Sequence, residues 1–133
     1  MSNPPKPHPC PFCSLPEDRI VGRNEYAVWI FDAYPVSLGH SLIITKRHVA
    51  SFFDARNEER QAMLTLLEQA RGAVAEEHRP DGYNIGINNG SAAGQTVPHL
   101  HLHLIPRFEG DVTDPRGGVR WVIPHNADYW TRS

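Results

Sequence analysis

Three histidines at alternate positions are the residues of this sequence best suited to do chemistry. They are His99, His101 and His103, and each is followed by a leucine. Because successive side chains of a β-strand point to opposite faces, this pattern predicts the imidazoles on one face and the leucines in the core. Neighbouring histidines would lie about 7 Å apart. Such a row suits a metal site or a nucleophilic and acid–base site, since imidazole serves in both.

A loop of small residues runs directly into the first of these histidines. Residues 89–96 read Asn, Gly, Ser, Ala, Ala, Gly, Gln and Thr. Small residues let the backbone come close to an anion, and Gln95 and Thr96 offer uncharged hydrogen-bond donors. This combination favours a site for a phosphoryl group over a metal site.

Two cysteines near the start of the chain form a second group of reactive side chains. Cys10 and Cys13 are separated by two residues, a spacing that lets both thiolates bind one tetrahedral metal ion. Such an ion needs two more ligands. In a reducing compartment the pair indicates a metal clip or a redox motif, and a reduced pair without metal is the alternative.

Five segments of mainly apolar residues predict the strands that position these groups. They cover residues 19–23, 25–31, 40–45, 83–88 and 97–105, and residues 119–123 suggest one short edge strand. An amphipathic helix is predicted over residues 57–77, with Asn57 as its N-cap. Strands before and after a single long helix predict an α+β fold with a mainly antiparallel, five-stranded sheet.

Length and composition fit one domain. The chain has 133 residues, 40% of them hydrophobic, and a net charge of −2 with neutral histidines. This balance gives no basic field for nucleic acid or for an anionic membrane. There is no apolar run typical of a membrane span or a signal peptide, so we expect a cytoplasmic protein. We expect a flexible tail over residues 1–9, a domain over 10–110, and an extension over 111–133 that packs on the domain or on a dimer partner.

Residues 94–105 resemble the signature of the histidine triad (HIT) superfamily, in which histidines alternate with apolar residues. Residues 31–35 and 39–48 resemble the first conserved block of that family, and residues 87–90 resemble its second. The likeness extends roughly from Cys10 to Phe108. It is closest to the bacterial HIT proteins and the fragile-histidine-triad-like nucleotide hydrolases, and it implies a HIT-like fold.

The resemblance implies a nucleotide hydrolase or transferase that cleaves at the α-phosphate of a dinucleoside polyphosphate, such as diadenosine tri- or tetraphosphate. His101 would attack phosphorus and form a nucleotidyl-histidine. Neutral imidazole is a good nucleophile near pH 7 when an acceptor holds its other nitrogen. His103 and Gln95 would donate hydrogen bonds to the phosphoryl oxygens. His99 would lie beside the leaving group or organise the neighbouring strand, and His40 would support the triad.

Four further residues are implied as substrate contacts. Asp32 would accept hydrogen bonds from the ribose hydroxyls, with capping of the following turn as an equal alternative. Asn88 would lie beside the phosphate, where simple turn formation competes with that role. Thr96 would contact the leaving group. Arg107 would bind the polyphosphate chain, since a guanidinium recognises phosphate with two hydrogen bonds.

The resemblance also implies a cofactor and a partner. Among HIT proteins with the N-terminal cysteine pair, a structural zinc ion is completed by residues that correspond here to His48 and His99. No organic cofactor is expected. The expected partners are a small-molecule nucleotide and a second copy of the chain in a homodimer.

Three other functions stay open from the sequence. One is a purine nucleoside phosphoramidase of the HIT type. Another is a metal-dependent hydrolase with all three triad histidines as ligands, whose activity metal removal would abolish. The third is a nucleotide-sensing protein without turnover, in which replacement of His101 would change no activity.

Overall fold

Within residues 10–131, which the computed structural model describes, the chain forms five strands, one long helix and several short helical turns. The tail expected over residues 1–9 lies outside the described part. The strands are β1 (Ile20–Arg23), β2 (Ala27–Phe31), β3 (Ser41–Thr45), β4 (Gly82–Gly86) and β5 (His101–Arg107). The long helix is α1 (Asn57–His78), and a four-residue helix, α2 (Pro124–Ala127), lies in the C-terminal extension.

The five strands form one antiparallel sheet in the order β1-β2-β3-β5-β4. Strand β5 therefore lies between β3 and β4, although it is last in the sequence. Ile44 of β3 pairs with His101 of β5, and Leu42 pairs with His103. The predicted α+β fold, with an antiparallel five-stranded sheet and one long helix, is confirmed.

The two faces of the sheet carry different layers. Helix α1 covers one face, where the main core contains Trp29, Ile43, Leu66, Leu100, Leu102 and Leu104. The opposite face carries a smaller cluster of four buried residues, which Phe12, Leu15 and Ile20 partly cover: Val28, Ile30, Leu42 and Ile44. Directly paired residues share a face of the sheet, so His101 and His103 lie on the face with this smaller cluster.

Helix α1 begins at Asn57, one residue after its N-cap. The N-cap is Arg56, so the prediction of Asn57 as the cap is wrong by one position. The carboxylate of Glu59 explains the shift, because it accepts the Arg56 backbone N–H at 2.8 Å and so satisfies a donor that the helix start leaves free. Glu59 is only 1% exposed and also pairs with Arg47, which anchors the helix start to the chain after β3.

Strand β5 begins later than the predicted strand over residues 97–105. The backbone bends before it, because the His99 N–H donates to the Val97 carbonyl and the Leu100 N–H to the Val49 carbonyl. Only His101 and His103 therefore alternate on a regular strand. The prediction that all three histidines lie on one regular strand is wrong for His99, which precedes β5.

The edge strand predicted over residues 119–123 is also wrong, since Gly118–Val122 forms a 3-10 helix. Gly117 and Gly118 both have positive φ, at 92° and 46°, and they turn the chain away from an extended course. The Arg120 N–H then bonds to the Gly117 carbonyl, which closes the helical turn.

Helices of the described residues were also compared with the requirements of a membrane span. None is both long enough and apolar enough to cross a bilayer.

Candidate active site

His101 has one ring nitrogen fixed, and the other has no hydrogen-bond partner among residues 10–131. It is the first residue of β5, and its Nδ1 lies 2.7 Å from the His99 carbonyl oxygen. A carbonyl can only accept, so Nδ1 carries the proton and Nε2 carries a lone pair. The side chain is 8% exposed. The backbone thus sets the tautomer of this ring, and Nε2 keeps the lone pair that a nucleophile requires.

His103 and His40 form a chain of hydrogen bonds with a defined direction. The Val36 N–H donates to Nδ1 of His40 at 3.1 Å, so the proton of the neutral His40 ring lies on Nε2. That Nε2 is 3.0 Å from Nδ1 of His103. His103 accepts there, and its own proton lies on Nε2. The result is an N–H donor on the same face as His101.

Burial keeps both of these rings uncharged. Desolvation lowers the pKa of His103 to about 4, and the neighbouring His101 and His40 add to the effect. Desolvation also lowers the pKa of His40, against the opposing influence of the Asp32 carboxylate. At neutral pH the chain therefore carries neutral donors and acceptors.

His99 directs its two ring nitrogens to the Thr45 carbonyl and to the cysteine pair. Its Nε2 lies 2.7 Å from the Thr45 carbonyl oxygen and donates to it, which leaves a lone pair on Nδ1. The residue is fully buried, and this burial lowers the pKa of its ring. The free Nδ1 lies 3.3 Å from Sγ of Cys10 and 3.5 Å from Sγ of Cys13.

The four residues predicted as zinc ligands lie together. The donor atoms of Cys10, Cys13, His48 and His99 are all within 4.8 Å of one another. Nδ1 of His48 is 3.1 Å from Sγ of Cys13 and 3.2 Å from Nδ1 of His99. Zinc bonds of about 2.0–2.3 Å in a tetrahedron separate ligands by about 3.3–3.8 Å, so the donor set and spacing fit such an ion.

Asp32 caps the turn after β2, which is one of the two roles that the sequence left open, and it also approaches His40. One carboxylate oxygen accepts the Tyr34 N–H at 2.9 Å and so caps the turn after β2. The other lies 3.4 Å from Nε2 of His40. Asp32, His40 and His103 thus form a second close group of possible metal ligands. The proton on Nε2 of His40 makes that nitrogen a donor, which argues against a cation at this group.

The residues predicted to contact phosphate from the loop have different placements. Gln95 braces the loop: its side-chain oxygen accepts the Gly90 N–H, and its nitrogen donates to the carbonyls of Ala50 and Val97. Thr96 and Asn88 are exposed. The structure leaves the side chains of Thr96 and Asn88 open to solvent, and it uses that of Gln95 to shape the loop.

Arg107 lies at the far end of β5 from the nucleophile. It is four residues after His103, which corresponds to about 13 Å along a strand. Its guanidinium donates twice to Asp111 and once to Asn84, at 2.7–2.9 Å. This network occupies the guanidinium, and contact of Arg107 with a polyphosphate chain stays a prediction.

Sequence analysis missed one side chain that touches the nucleophile. The Phe12 ring lies 5.0 Å from the His101 ring and 6.0 Å from the His99 ring, between centroids, in edge-to-face geometry. Its position between the two cysteines is the only signal in the sequence. The Val36 N–H and the Thr45 carbonyl were also missed, because backbone groups carry no residue-type signal.

Comparison with known proteins agrees with this geometry. A family model described as the HIT domain matches residues 16–110. An uncharacterised HIT-like protein of Mycoplasma genitalium is 38% identical over 104 residues, which cover 75% of this chain and 74% of that protein. A Mycobacterium tuberculosis protein named AP-4-A phosphorylase is 31% identical over 107 residues, covering 76% of this chain and 55% of that protein.

Solved structures give the same result. The crystal structure of a zinc-bound histidine triad family protein from Mycobacterium smegmatis superposes with a TM-score of 0.65 and 36% identity. The match covers 71% of this chain and 69% of that one. The family match, the relatives and the shared fold agree with the arrangement of the histidines, and this chain belongs to the HIT family.

Proposed function

We propose that this protein is a nucleotide hydrolase or transferase that cleaves a dinucleoside polyphosphate at its α-phosphate through a nucleotidyl-histidine on His101. The observation that carries the proposal is the free Nε2 of His101. The His99 carbonyl fixes the opposite nitrogen at 2.7 Å, so the lone pair on Nε2 has a defined direction.

In the first step, the lone pair of His101 Nε2 forms the N–P bond. The bond from phosphorus to the bridging oxygen breaks, and its electron pair leaves with the departing polyphosphate. Positive charge develops on the ring, and the Nδ1–H···O bond to His99 stabilises it. The N–H of His103, directed by His40, donates to a non-bridging phosphoryl oxygen as the site tightens around the transition state.

In the second step, a water oxygen attacks the phosphorus of the nucleotidyl-histidine. The N–P bond breaks, the electron pair returns to Nε2 of His101, and the proton of the water goes to solvent. The nucleoside monophosphate leaves, and the neutral ring is restored. Inorganic phosphate in place of water would make the same step a phosphorolysis, which is the reaction that the name of the Mycobacterium tuberculosis relative describes.

The substrate assignment draws on that relative and on Asp32. AP-4-A phosphorylase carries a dinucleoside tetraphosphate in its name. Asp32 lies 3.4 Å from His40 with one carboxylate oxygen outside the turn that it caps, where a ribose diol can donate to it. Gln95, Thr96, Asn88 and Arg107 stay as predicted substrate contacts, and the ion pair of Arg107 with Asp111 gives that residue a competing structural role.

We also propose a structural zinc ion held by Cys10, Cys13, His48 and His99. Such an ion, when bound, ties the N-terminal segment to the backbone that carries the His99 carbonyl. This role differs from the metal-dependent hydrolase considered above. In that alternative all three triad rings bind one ion, whereas Nδ1 of His101 donates to a carbonyl and the free Nδ1 of His99 faces the cysteines.

The homodimer and the cytoplasmic location stay predictions. The position of β4 at the edge of the sheet supports a dimer. Ile85 of this strand is 48% exposed, and an exposed edge strand is a template for pairing with a second chain.

An activity panel tests the proposed function. Diadenosine triphosphate, diadenosine tetraphosphate and an adenosine phosphoramidate are offered to the parent protein, to His101→Ala and to His125→Ala, with and without inorganic phosphate. We expect turnover of a dinucleoside polyphosphate, a loss of at least about 10³-fold in His101→Ala, and no change in His125→Ala, since His125 is exposed.

Each arm of the panel has an outcome that contradicts a part of the proposal. Equal rates in His101→Ala and the parent would end the assignment of the nucleophile. Turnover of the phosphoramidate alone would replace the proposed substrate class by the phosphoramidase alternative. Absence of turnover on every substrate would leave a nucleotide-sensing protein.

A further inference from the structure

Phe12 joins the N-terminal cysteine pair to the nucleophile. The residue lies between Cys10 and Cys13, and its ring is partly buried against the cluster formed by Val28, Ile30, Leu42 and Ile44. The ring centroid is 5.0 Å from that of His101, with an angle of 71° between the planes. This distance and angle are typical of a favourable edge-to-face contact.

His101 needs such a contact because its one hydrogen bond does not fix the orientation of its ring. The bond from Nδ1 to the His99 carbonyl fixes one atom, but it permits the ring to tilt about that atom. The His103 ring lies on one side, 5.2 Å between centroids. Phe12 provides a second aromatic contact, so the ring is held by two aromatic neighbours and one hydrogen bond.

We infer that Phe12 is a positioning residue that holds the His101 ring at the angle required for in-line attack on phosphorus. This inference rests on the proposed function. Phe12 lies before residues 16–110, which the HIT domain matches, so the contact adds an element from outside the matched part. Reactions of this type depend strongly on such alignment, and a displacement of about 1 Å can reduce a rate by about 100-fold.

The contact also makes the cysteine pair relevant to the reaction. Cys10 Sγ lies 3.3 Å from His99 Nδ1, and Cys13 Sγ lies 3.1 Å from His48 Nδ1. Cys10 and Cys13, on either side of Phe12, thus both contact histidines of the domain. The Phe12 ring between them packs against His101. The segment from Cys10 to Cys13 therefore contacts His101 through the Phe12 side chain. It also affects His101 through His99, whose carbonyl accepts from the His101 ring.

The test compares Phe12→Ala, Phe12→Tyr and Leu15→Ala with the parent protein. Leu15 is the matched control, because it covers the same apolar cluster as Phe12. Steady-state rates are measured on a dinucleoside polyphosphate, and metal content and melting temperature are measured for each variant. We expect Phe12→Ala to lower kcat about tenfold with KM changed less than about twofold.

The other variants separate positioning from general packing. Phe12→Tyr keeps the ring, so we expect kcat close to that of the parent. Leu15→Ala removes apolar contacts, so we expect a lower melting temperature with kcat unchanged. The inference is overturned if kcat in Phe12→Ala matches the parent, if KM alone rises, if Leu15→Ala loses as much activity, or if the loss follows a lower metal content.

A second readout does not depend on turnover. Through-space NMR contacts between the rings of Phe12 and His101 are measured in the parent, and the signals of the His101 ring are compared in Phe12→Ala. We expect the contact in the parent and averaged or multiple His101 signals in the variant. An unchanged, single conformation of the His101 ring in Phe12→Ala would overturn the inference, whatever the substrate proves to be. Absence of turnover by the parent would contradict only the proposed function.

Discussion

At the scale of single residues, backbone groups determine what each histidine can do. Carbonyl oxygens of Thr45 and His99 accept from the rings of His99 and His101. The Val36 N–H donates to His40 and so fixes the proton that His40 directs toward His103. Three similar rings are thereby left with a lone pair on Nδ1 of His99, a lone pair on Nε2 of His101 and a proton on Nε2 of His103, which the proposed roles of metal ligand, nucleophile and hydrogen-bond donor require. Fixed tautomers of this kind are preorganised, since no ring must change its proton before reaction.

Burial of His103 predicts a dependence of stability on pH. In the folded state the pKa of His103 is about 4, against an ordinary value of 6.5. Between these values the unfolded chain binds more protons than the folded protein, so stability rises with pH there. We expect the contribution to be complete above about pH 6.5 and to decline as the pH falls toward 4. Urea unfolding at several pH values measures it.

His103→Gln is the control for this prediction. The variant has no titrating group at the position, so its free energy of unfolding should fall less steeply over the same pH interval. Titration of the histidines that do not contact position 103 affects both proteins alike and cancels in the difference. Parallel pH profiles for the two proteins would show that His103 does not titrate with a lowered pKa.

The sequence predicted the identity of the reactive residues better than their partners. Alternation of histidine and leucine singled out His101 and His103 because the pattern follows directly from strand geometry. His101 is oriented by the nearby His99 carbonyl and His103 by the side chain of His40, which lies 63 residues away, and no residue type reveals either pairing. Gln95 shows the same limit: its uncharged amide suggested a phosphate contact, but it bonds to the Gly90 N–H and the Ala50 carbonyl.

At the scale of elements, the short bend before β5 separates His99 from His101 and His103. His99 joins the group of cysteines, and the other two histidines lie on the strand. Because regular pairing starts only at His101, His99 can direct its ring to the cysteines while its carbonyl holds His101. Pro98 contributes to the irregular backbone, since proline has no N–H to give to a strand. Alternation in the sequence indicated a longer strand, and hydrogen bonds of Leu100 to Val49 replaced the expected pairing.

The segment that carries Cys10 and Cys13 leads to a prediction about the zinc content of the protein. We expect purified parent protein to contain about one zinc ion per chain, and Cys13→Ser to contain far less, because a hydroxyl is a poor zinc ligand. Since a structural ion stabilises the fold that binds it, chelation should lower the melting temperature of the parent. Metal analysis and thermal unfolding with and without chelator provide the two measurements.

His125→Ala serves as the matched control for the zinc prediction. His125 is an exposed histidine in α2, outside the group of donor atoms around His99. Its replacement should leave the metal content unchanged. A parent protein with less than about half an equivalent of zinc, or a Cys13→Ser variant with the full amount, would rule out the proposed ligands.

The four predicted zinc ligands show how much the spacing of residues in the sequence can reveal about a metal site. The spacing of Cys10 and Cys13 is enough to identify them as a pair. His48, in contrast, lies 35 residues from Cys13 in the sequence. Only the family resemblance pointed to it. The turn after β3 brings it to the pair, and a turn of that kind depends on contacts such as that of Arg47 with Glu59, which sequence patterns do not encode.

At the scale of the whole molecule, segments on both sides of the family match complete the structure. Residues 10–15 contribute the cysteines and part of the cover over the histidine face. In the C-terminal extension, Trp121 and Trp130 contact each other, and Arg116 lies over the Trp130 ring. Asp111 binds Arg107 of β5. Of these contacts, the pair of Asp111 with Arg107 joins the extension to the domain, and packing of the extension on the domain or on a dimer partner stays a prediction.

Stereochemistry at phosphorus is the most direct measurement of the central claim. A substrate with a chiral thiophosphate at the α-position is cleaved in water enriched in ¹⁸O, so that the product phosphorus carries sulfur and two distinguishable oxygen isotopes. The configuration of the nucleoside thiophosphate product is then determined. Each in-line displacement inverts phosphorus, so attack by His101 followed by attack of water predicts overall retention. Overall inversion would indicate a single displacement by water, and it would contradict the nucleotidyl-histidine on which this account depends.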